Sequence, residues 1–408
     1  KHRFSCEHSR LTQVPCPADP LGKEIVGEYS TFSLDPSKRY RLRLVNVGSL
    51  AEQTFSVDGH SLTVIEADGV LVDPFTVHRL PIATGQRYSV LLNRLDDQQQ
   101  VWMRSKMSAE CFQYMNPVLD LVTKAIVEYQ DSGPKGSWLS PLRRAVKGRR
   151  DLAQFTSSRR RNRALQSKLP SSRGWGDNVE DPKVPSEPCH DLDNAALTPL
   201  ISDPAPELNF ERGDVRETVL ITVQTREKYG IVPMGYMNHT TWRAGGSGKV
   251  PRPPLLHRIS HSNSTDPNVW VDDGLIDYDH ELVVSPHPNS SVVIELVINN
   301  HDDSEHPFHL HGHKFWVMET GEIDPMWGGY NDYVDRGQRY DLNRVMKRDT
   351  FVIPMMGYAV IRWIADNPGV WPFHCHMLVH LESGMAMAIA EQPALLQASP
   401  PVPKVCAT

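Results

Sequence analysis

Two short stretches of this sequence gather histidines around a single cysteine. The first is HPFHLHGH at residues 306–313, and the second is WPFHCHMLVH at residues 371–380. Imidazole nitrogens and thiolate sulfur are ligands that copper and zinc accept in proteins. A lone histidine is more often an ordinary strand or loop residue, but seven histidines and one cysteine in two matched clusters indicate metal binding.

The spacing of the first stretch predicts that its histidines divide between two sites. We expect a strand at residues 308–313, and side chains alternate between the two faces of a strand. In that strand His309, His311 and His313 would project from one face. His306 has the other parity and precedes a proline, so we expect it to serve a different site.

The same alternation applies to the second stretch. His374 and His376 share one face, and Cys375 points to the opposite face. His380 is expected to follow after a turn. The two stretches together predict two metal sites back to back. One site would contain histidines only, and the other would combine Cys375 with His306 and His380.

The chemistry of these ligands favours copper at both sites. One thiolate, two imidazoles and a weak axial thioether form the ligand set of blue-copper electron-transfer sites, and Met385 is the candidate for the axial position. The histidine-only site suits copper or zinc by ligand type. The backbone joins Cys375 directly to His374 and His376, which favours electron delivery into a second copper centre. Zinc has no redox chemistry, so that connection would serve no purpose with zinc.

The two stretches resemble the third and fourth copper-binding motifs of the multicopper oxidases, a family that includes laccases, ascorbate oxidases and ferroxidases. Three further segments, YRLRLVNVG, VDGHSLTVIEADG and GQRYSVLLN, are similar to that family's second cupredoxin domain. His313 matches no ligand position of the family and is expected to be structural. The resemblance implies the following ligands: His306, Cys375 and His380 with axial Met385 for type 1 copper, His309 for type 2 copper, and His311, His374 and His376 for the type 3 pair.

The resemblance also implies a reaction. A donor near His306 or His380 would lose single electrons, which pass through Cys375 to a cluster that reduces dioxygen to water. The implied cofactors are type 1, type 2 and type 3 copper, about four ions in a complete enzyme. The partners would be a small-molecule reducing substrate and dioxygen. The first hypothesis for the donor is a phenol or pigment precursor, as in laccases.

Two other donors stay open. A ferroxidase is the second hypothesis, because Asp302 and Asp58 resemble acidic positions that hold ferrous iron, and carboxylates suit a hard cation. Asp302 and Asp303 would otherwise be plain turn residues, a role that aspartate often takes. Ascorbate oxidase is the third possibility and is consistent with Met385, which also implies a modest type 1 potential.

The chain departs from the family in two respects. The family completes its oxygen-reducing cluster with two more His-x-His motifs, which nothing in this sequence matches. We therefore expect the first cupredoxin domain and the opening strands of the second to be missing, which leaves half of the cluster's histidines. A truncated, non-oxidase type 1 copper protein is the alternative from another class. The second departure is Leu378, which stands where the family usually carries an acid that supplies protons.

The elements that carry these motifs are expected to be short β-strands. RYRLRLVNVG at residues 39–48 alternates polar and apolar residues, which predicts a strand. SVVIELVINN at 291–300 and YAVIRWIAD at 358–366 are also expected to form short strands. The predicted fold is all-β, with tandem cupredoxin-like Greek-key β-sandwiches. The predicted domains are 1–130 for an N-terminally incomplete second cupredoxin-like domain, 131–190 for a basic insertion, and 191–408 for a third cupredoxin-like domain with the copper motifs.

The predicted insertion has an unusual charge. Residues 135–173 contain twelve lysines and arginines and one acid, Asp151. Such a composition is typical of a solvated, disordered segment. A polyanion-binding arm and an error in the gene model are the alternatives.

Composition, sequons and cysteines indicate which partners and which cellular location to expect. The net charge of −6 argues against nucleic acid as a partner, and no apolar run is long enough to predict a membrane span. Three Asn-x-Ser/Thr sequons favour a secreted or secretory-pathway protein with glycosylation and disulfides. The family resemblance implies a disulfide between Cys6 and Cys16 and leaves Cys406 without its partner. Pairing of Cys111 with Cys189 stays open.

Overall fold

The computed structural model describes most of the two regions that carry the motifs. Its helices, strands and loops form two β-sandwiches, called here the N-terminal and the C-terminal sandwich. The described residues are 29–95, 97–107, 120–130, 191–192, 194–226, 232–243, 253–266, 283–284, 287, 289–323, 326, 328–330 and 341–399.

The N-terminal sandwich packs a five-stranded sheet on a four-stranded sheet. Its strands are β1 (Thr31–Leu34), β2 (Tyr40–Val45), β3 (Gln53–Val57), β4 (His60–Ala67), β5 (Val70–Val77), β6 (Leu80–Ile82), β7 (Arg87–Arg94), β8 (Gln100–Lys106) and β9 (Val122–Tyr129). The sheet orders are β1-β9-β8-β3-β6 and β2-β7-β4-β5. Alternation along β2 turns Leu42 and Leu44 inward and leaves Arg41 and Arg43 exposed, as the sequence pattern predicts.

The C-terminal sandwich is larger. Its strands are β10 (Val215–Arg226), β11 (Val232–Met237), β12 (Val283–Val284), β13 (Val292–Asn300), β14 (His306–Leu310), β15 (Phe315–Glu322), β16 (Lys347–Arg348), β17 (Thr350–Ile353), β18 (Gly357–Ala365), β19 (Gly369–Cys375) and β20 (Ala386–Glu391). The sheet orders are β11-β10-β13-β18-β15-β16 and β12-β20-β19-β14-β17. Apolar side chains from both sheets form one buried cluster between them, which includes Ile294, Phe308, Ile361 and Phe373.

Helical structure is sparse in the described residues. The helices are α1 (Leu255–Ser260), α2 (Leu378–Glu382) and α3 (Pro393–Ala398), with two 3-10 turns at Asn194–Ala196 and Phe210–Arg212. None of these helices has the length and apolar character that a membrane crossing requires. The prediction of an all-β fold with tandem sandwiches is confirmed.

The strands that carry the two histidine stretches are neighbours. β14 lies between β17 and β19 and runs antiparallel to both. The register pairs Phe308 with Cys375 and His309 with His374. Because the strands are antiparallel and in register, the alternation of each stretch is aligned with that of the other. This alignment separates the cysteine from the histidines on the opposite face of the sheet.

The prediction of a strand at residues 308–313 is wrong in its extent. The strand begins at His306 and ends at Leu310, and a turn follows. Gly312 has a φ of 76°, and a Cβ atom there would lie 2.5 Å from the Trp371 ring. The chain therefore turns where it packs against that ring, and His313 leaves the strand. His380 follows β19 after the bend at residues 376–377, as predicted, and lies on the short helix α2.

Several predictions fall outside the described residues. They are the basic insertion at 131–190 and the pairing of Cys6 with Cys16 and of Cys111 with Cys189. The domain boundaries at 130 and 190 stay predictions. Residues just after 190 pack on the N-terminal sandwich: Leu192 and Leu197 lie in its apolar core, and the Thr198 carbonyl accepts from the Asp73 N–H at 2.8 Å. The first strand of the C-terminal sandwich, β10, begins at Val215.

Candidate metal centre

Three donor atoms converge at the buried end of β14 and β19. His306 opens β14, Cys375 closes β19, and His380 lies on α2. The Sγ atom of Cys375 lies 3.7 Å from Nδ1 of His306 and 3.7 Å from Nδ1 of His380, and the two nitrogens are 3.1 Å apart. The three ligand atoms lie within 4.8 Å of one another. This His₂Cys set has the composition of a trigonal blue-copper site.

Burial controls the protonation of this group. Burial raises the pKa of the Cys375 thiol to about 12. Burial, followed by the neighbouring His306, lowers the pKa of His380 to about 4. At neutral pH His380 is therefore a neutral imidazole with a lone pair to offer. The thiol needs a bound cation to become a thiolate, because a coordinated metal deprotonates its sulfur ligand.

Met385 lies beside these three donors. Its side chain is fully buried in the same apolar cluster as Cys375. Its backbone N–H donates to the His380 carbonyl at 2.9 Å, and its carbonyl accepts from the Cys375 N–H at 3.1 Å. Gly235 packs against it so closely that a Cβ atom there would lie 2.7 Å from the Met385 Cβ. The Met385 thioether is therefore buried in the apolar cluster next to the His₂Cys group.

A second group of four histidines lies on the other side of the Cys375 backbone. The Nε2 atoms of His311 and His374 are 3.1 Å apart. The ring of His309 lies 4.8 Å from the ring of His311 and 5.8 Å from that of His376, measured between centroids. The rings of His374 and His376 are 5.9 Å apart. The four histidines that the family resemblance assigns to type 2 and type 3 copper therefore form one cluster.

Hydrogen bonds leave ring nitrogens of this cluster available as ligands. Nδ1 of His309 lies 2.8 Å from the Asp349 carbonyl, and Nδ1 of His374 lies 2.9 Å from the Cys375 carbonyl. A carbonyl only accepts, so in the neutral rings Nδ1 carries the proton and Nε2 keeps its lone pair. Nδ1 of His376 is buried and has no hydrogen-bond partner in the described part of the chain. Orphaned buried nitrogens of this kind fit a metal ligand.

The cluster favours neutral imidazoles. Burial, opposed in part by the Cys375 carbonyl, lowers the pKa of His374 to about 4. Burial also lowers the pKa of His309 and of His311, and the neighbouring rings add to the effect. Metal binding requires unprotonated imidazole, so no proton has to be displaced from these rings at neutral pH.

His313 belongs to neither group. Its Nε2 lies 3.1 Å from Oε2 of the fully buried Glu391, and its ring meets Trp371 edge-on at 5.9 Å. Glu391 also accepts from the indole N–H of Trp363 at 3.0 Å. His313 therefore lies against β20 and Trp371, away from both groups of donors, as expected for a residue that is not a ligand.

The two acidic residues expected at the substrate edge have different surroundings. Oδ2 of Asp302 lies 2.9 Å from Nε2 of His306, the nitrogen that faces away from Cys375. Burial alone would raise the pKa of Asp302, but the contact with His306 lowers it overall. Asp58 instead binds Arg104 through both carboxylate oxygens, at 2.7 and 2.6 Å. The structure brings Asp302 to the site, whereas the Asp58 carboxylate is already neutralised by an arginine.

Sequence reasoning missed two residues that contact the histidine cluster. Asp349 offers its carbonyl to His309, and a Cβ atom at Gly85 would lie 2.6 Å from the His376 ring. Gly85 has a φ of 86°, which favours glycine. The segment KRDTF and the Thr-Gly turn were visible in the sequence, but nothing there indicated that either reaches a histidine.

Two carboxyl groups, Glu52 and Glu305, have raised pKa values. Burial, reinforced by the charge of Asp191, raises the pKa of Glu52 to about 8. Burial and then the charge of Glu52 raise the pKa of Glu305 to about 9. Leu378, which replaces the family's acid, exposes about half of its side chain and donates its backbone N–H to the Ser49 carbonyl. Glu52 and Glu305 therefore keep their protons at neutral pH, whereas the pKa of Asp302 is lowered.

These raised pKa values predict that the protein loses stability as the pH rises. The unfolded chain releases the protons of Glu52 and Glu305 above about pH 4.5, while the folded chain keeps them to about pH 8 and 9. The free energy of unfolding should therefore fall across this window, by about 1.4 kcal/mol per pH unit for each group. Urea denaturation at several pH values measures the slope. Glu52→Gln should flatten it, and the exposed Glu322→Gln should not; equal slopes in all three proteins would contradict the assignment.

Known proteins are similar to this chain in sequence and in fold. Residues 11–132 and 249–395 each match a family model described as multicopper oxidase. The iron transport multicopper oxidase FET5 of Saccharomyces cerevisiae is 28% identical over 406 residues, covering 94% of this chain and 54% of that protein. The L-ascorbate oxidase of Brassica rapa subsp. pekinensis is 27% identical over 382 residues, covering 88% and 56%. The chain thus spans about half the length of the curated relatives it matches.

A solved structure supports the fold. The crystal structure of Fet3p, a multicopper oxidase that functions in iron import, aligns with a TM-score of 0.65 and 24% identity over 93% of this chain and 62% of that one. The two matched regions contain the N-terminal sandwich and most of the C-terminal sandwich with both histidine stretches. The chain belongs to the multicopper oxidase family, whose centres hold copper.

Proposed function

We propose that the protein is a copper-dependent oxidase that couples one-electron oxidation of a small donor, in the first place a phenol or pigment precursor, to reduction of dioxygen to water. The observation that carries this proposal is the convergence of Cys375 with His306 and His380 directly behind a cluster of four histidines. Copper supplies reversible one-electron chemistry at the first group and dioxygen reduction at the second when it is bound there. Oxygen uptake that depends on both donor and copper tests the proposal.

The chain's own residues have separable roles in this scheme. His306, Cys375, His380 and Met385 would hold type 1 copper, His309 would hold type 2 copper, and His311, His374 and His376 would hold the type 3 pair. The aromatic rings of Phe308 and Phe373, 4.9 Å apart, close the apolar wall beside Cys375 and exclude water. One peptide bond on each side of Cys375 connects it to His374 and to His376, so the backbone joins the Cys375 group to the histidine cluster. Each dioxygen consumes protons as well as electrons, and Leu378 cannot donate them.

The histidine cluster is open on one side, and we propose that a further cupredoxin domain supplies its remaining imidazoles. His311 is exposed, and His309 exposes 24% of its side chain. The N-terminal sandwich and α2 meet nearby through the Leu378–Ser49 hydrogen bond. Large apolar side chains are exposed around that contact: Val45, Val47, Leu50, Leu378 and Val379. Copper analysis separates this proposal from a non-oxidase type 1 copper protein, which would bind one copper per chain and take up no oxygen.

Ferrous iron is a second candidate donor, and one contact favours it. Asp302 presents a carboxylate directly on His306 and stays ionised, because the contact with His306 lowers its pKa overall. A carboxylate beside the electron entry suits a hard cation. Several relatives are named iron transport multicopper oxidases. Asp58 is a weaker candidate for the same role, because Arg104 binds it.

Replacing Asp302 with asparagine tests which donor is used. If the carboxylate holds ferrous iron, Asp302→Asn should lower kcat/KM for iron by about tenfold, which corresponds to a loss of about 1.4 kcal/mol, close to the lower end of what a hydrogen bond to a charged group contributes. Turnover of a phenol should change less. Asp303→Asn is the matched control, since Asp303 is exposed and adjacent. Unchanged iron turnover in Asp302→Asn would exclude the iron role; steady-state rates on iron, a phenol and ascorbate make the comparison.

We also propose a secretory setting. The sequon residues Asn263 and Asn289 are exposed, so a glycan fits at either position. The side chain of Asn238 is less available, because its amide oxygen accepts from the Leu220 N–H at 2.8 Å. A mobility shift after glycosidase treatment of the protein secreted from its host tests this setting.

A further inference from the structure

One loop of the N-terminal sandwich reaches the histidine cluster of the C-terminal sandwich. It comprises residues 84–86 together with Arg87, the first residue of β7, and is called here the 84–87 loop. Gly85 lies against the His376 ring, with no room for a Cβ atom. Two residues later, Arg87 binds Asp349 of the C-terminal sandwich through both carboxylate oxygens, with Nη2 to Oδ2 at 2.6 Å. The loop therefore contacts the cluster at one point directly and at another through Asp349.

Asp349 connects Arg87 to a histidine. Its carbonyl accepts from Nδ1 of His309 at 2.8 Å, while its carboxylate binds Arg87. The Thr350 hydroxyl lies 3.0 Å from the same histidine nitrogen and donates to Oδ1 of Asp349 at 3.0 Å. Burial alone would raise the pKa of Asp349, but the hydrogen bond and charge of Arg87 lower it. The carboxylate is therefore ionised and held by Arg87.

A second ion pair fixes the neighbouring residue in the same way. The fully buried Arg348 binds Oδ2 of the fully buried Asp68 at 2.6 Å. The other oxygen of Asp68 accepts from the Arg87 N–H at 2.8 Å. Two consecutive residues of the C-terminal sandwich, 348 and 349, are thus each bound by a charged residue of the N-terminal sandwich. The peptide group that His309 contacts is constrained by both.

We propose that Arg87 and Gly85 are positioning residues, and that the 84–87 loop sets the tautomer of His309 and the orientation of the His376 ring. In this arrangement residues of the N-terminal sandwich orient the histidines of the cluster. The inference rests on the proposed function only in treating the cluster as a copper site. Groups that orient metal-binding histidines through hydrogen bonds commonly change metal affinity by about 10–100-fold when they are removed.

The tautomer of His309 tests the proposal without any metal. The protein is labelled with ¹⁵N at histidine, kept metal-free, and studied by long-range ¹H–¹⁵N NMR at a pH where the rings are neutral. We expect His309 of the natural protein to show one tautomer, with the proton on Nδ1. Arg87→Gln should produce a mixture of both tautomers. The matched control is Arg41→Gln, which breaks an ion pair with Glu66 in the same sandwich without touching Asp349.

A copper measurement complements the NMR experiment. Arg87→Gln should weaken copper binding at the histidine cluster by about tenfold and leave binding at the Cys375 group unchanged, whereas Arg87→Lys should restore part of the loss. If Arg87→Gln does not fold, Gly85→Ala provides the second variant, and its His376 signals should shift. A single, unchanged His309 tautomer in Arg87→Gln would overturn the proposal. Absence of copper binding in the natural protein would instead overturn the proposed function and leave the tautomer result standing.

Discussion

Cys375→Ser is expected to abolish oxidation of every donor while the protein stays folded. Cys375 is fully buried and supplies the only sulfur within the convergent group of three donors. A serine hydroxyl has nearly the same volume but is a hard, weakly acidic ligand that does not replace a thiolate for copper. The variant should therefore lose one copper per chain and the intense visible absorption of thiolate-bound copper.

The comparison requires a control in the same apolar cluster. Met387 is buried there with Cys375 and has no proposed ligand role. Met387→Leu conserves volume and should cost less than about 1.5 kcal/mol of stability, with absorption and oxygen uptake retained. Absorption, copper content and oxygen uptake are measured on all three proteins. Retained donor oxidation in Cys375→Ser would exclude the proposed path of the electrons.

Arg348→Met is expected to destabilise the protein by about 3–5 kcal/mol, because it leaves Asp68 buried without its arginine. The Arg348 guanidinium also donates to the Tyr88 hydroxyl at 3.2 Å, so the variant leaves a second polar group with one partner fewer. Arg87 contacts Asp68 at 3.2 Å and offsets part of the loss. The free energy of unfolding from urea denaturation measures the effect.

A double variant separates the unpaired charge from the lost packing. Asp68 has a φ of 47°, a conformation that asparagine tolerates. Asp68→Asn removes the buried charge, so Arg348→Met combined with Asp68→Asn should recover most of the stability lost in Arg348→Met. If the single variant unfolds with a free energy within about 1 kcal/mol of the natural protein, the buried pair does not hold the sandwiches together.

Local alternation explains why the two candidate metal groups could be predicted from the sequence. The period-two pattern separates Cys375 from His374 and His376, and the register that pairs Phe308 with Cys375 preserves this separation across β14 and β19. The run of residues in each of three segments likewise predicted β2, β13 and β18. These features depend on residues that are close in sequence or on a regular ladder of hydrogen bonds.

Contacts between distant residues could not be predicted in this way. Arg87 and Asp349 are 262 residues apart. Arg87 stands in the segment GQRYSVLLN, but nothing in that segment indicates Asp349 as its partner. The end of β14 at Leu310 depends on how Gly312 packs against Trp371, which is a tertiary contact. Packing of this kind overrides a local pattern, which is why the expected strand at residues 308–313 was too long.

The protonation and availability of the acidic residues could not be predicted from the sequence either. The sequence identified Leu378 as a departure from the family, but the raised pKa values of Glu52 and Glu305 follow from burial in the folded chain. Asp58 matched an acidic position by resemblance, yet Arg104 binds its carboxylate. Residue type alone therefore gives a candidate, and the surrounding charges decide whether it is available.

Titration of the metal-free, reduced protein with copper(II) tests the central claim most directly. Absorption and electron paramagnetic resonance spectra are recorded at each addition for the natural protein and for Cys375→Ser. We expect the natural protein to develop the intense visible band of thiolate-bound copper with one equivalent at His306, Cys375 and His380, and the variant to show no such band. Copper binding without that band, or an identical band in the variant, would contradict the assignment of this group as a type 1 copper site.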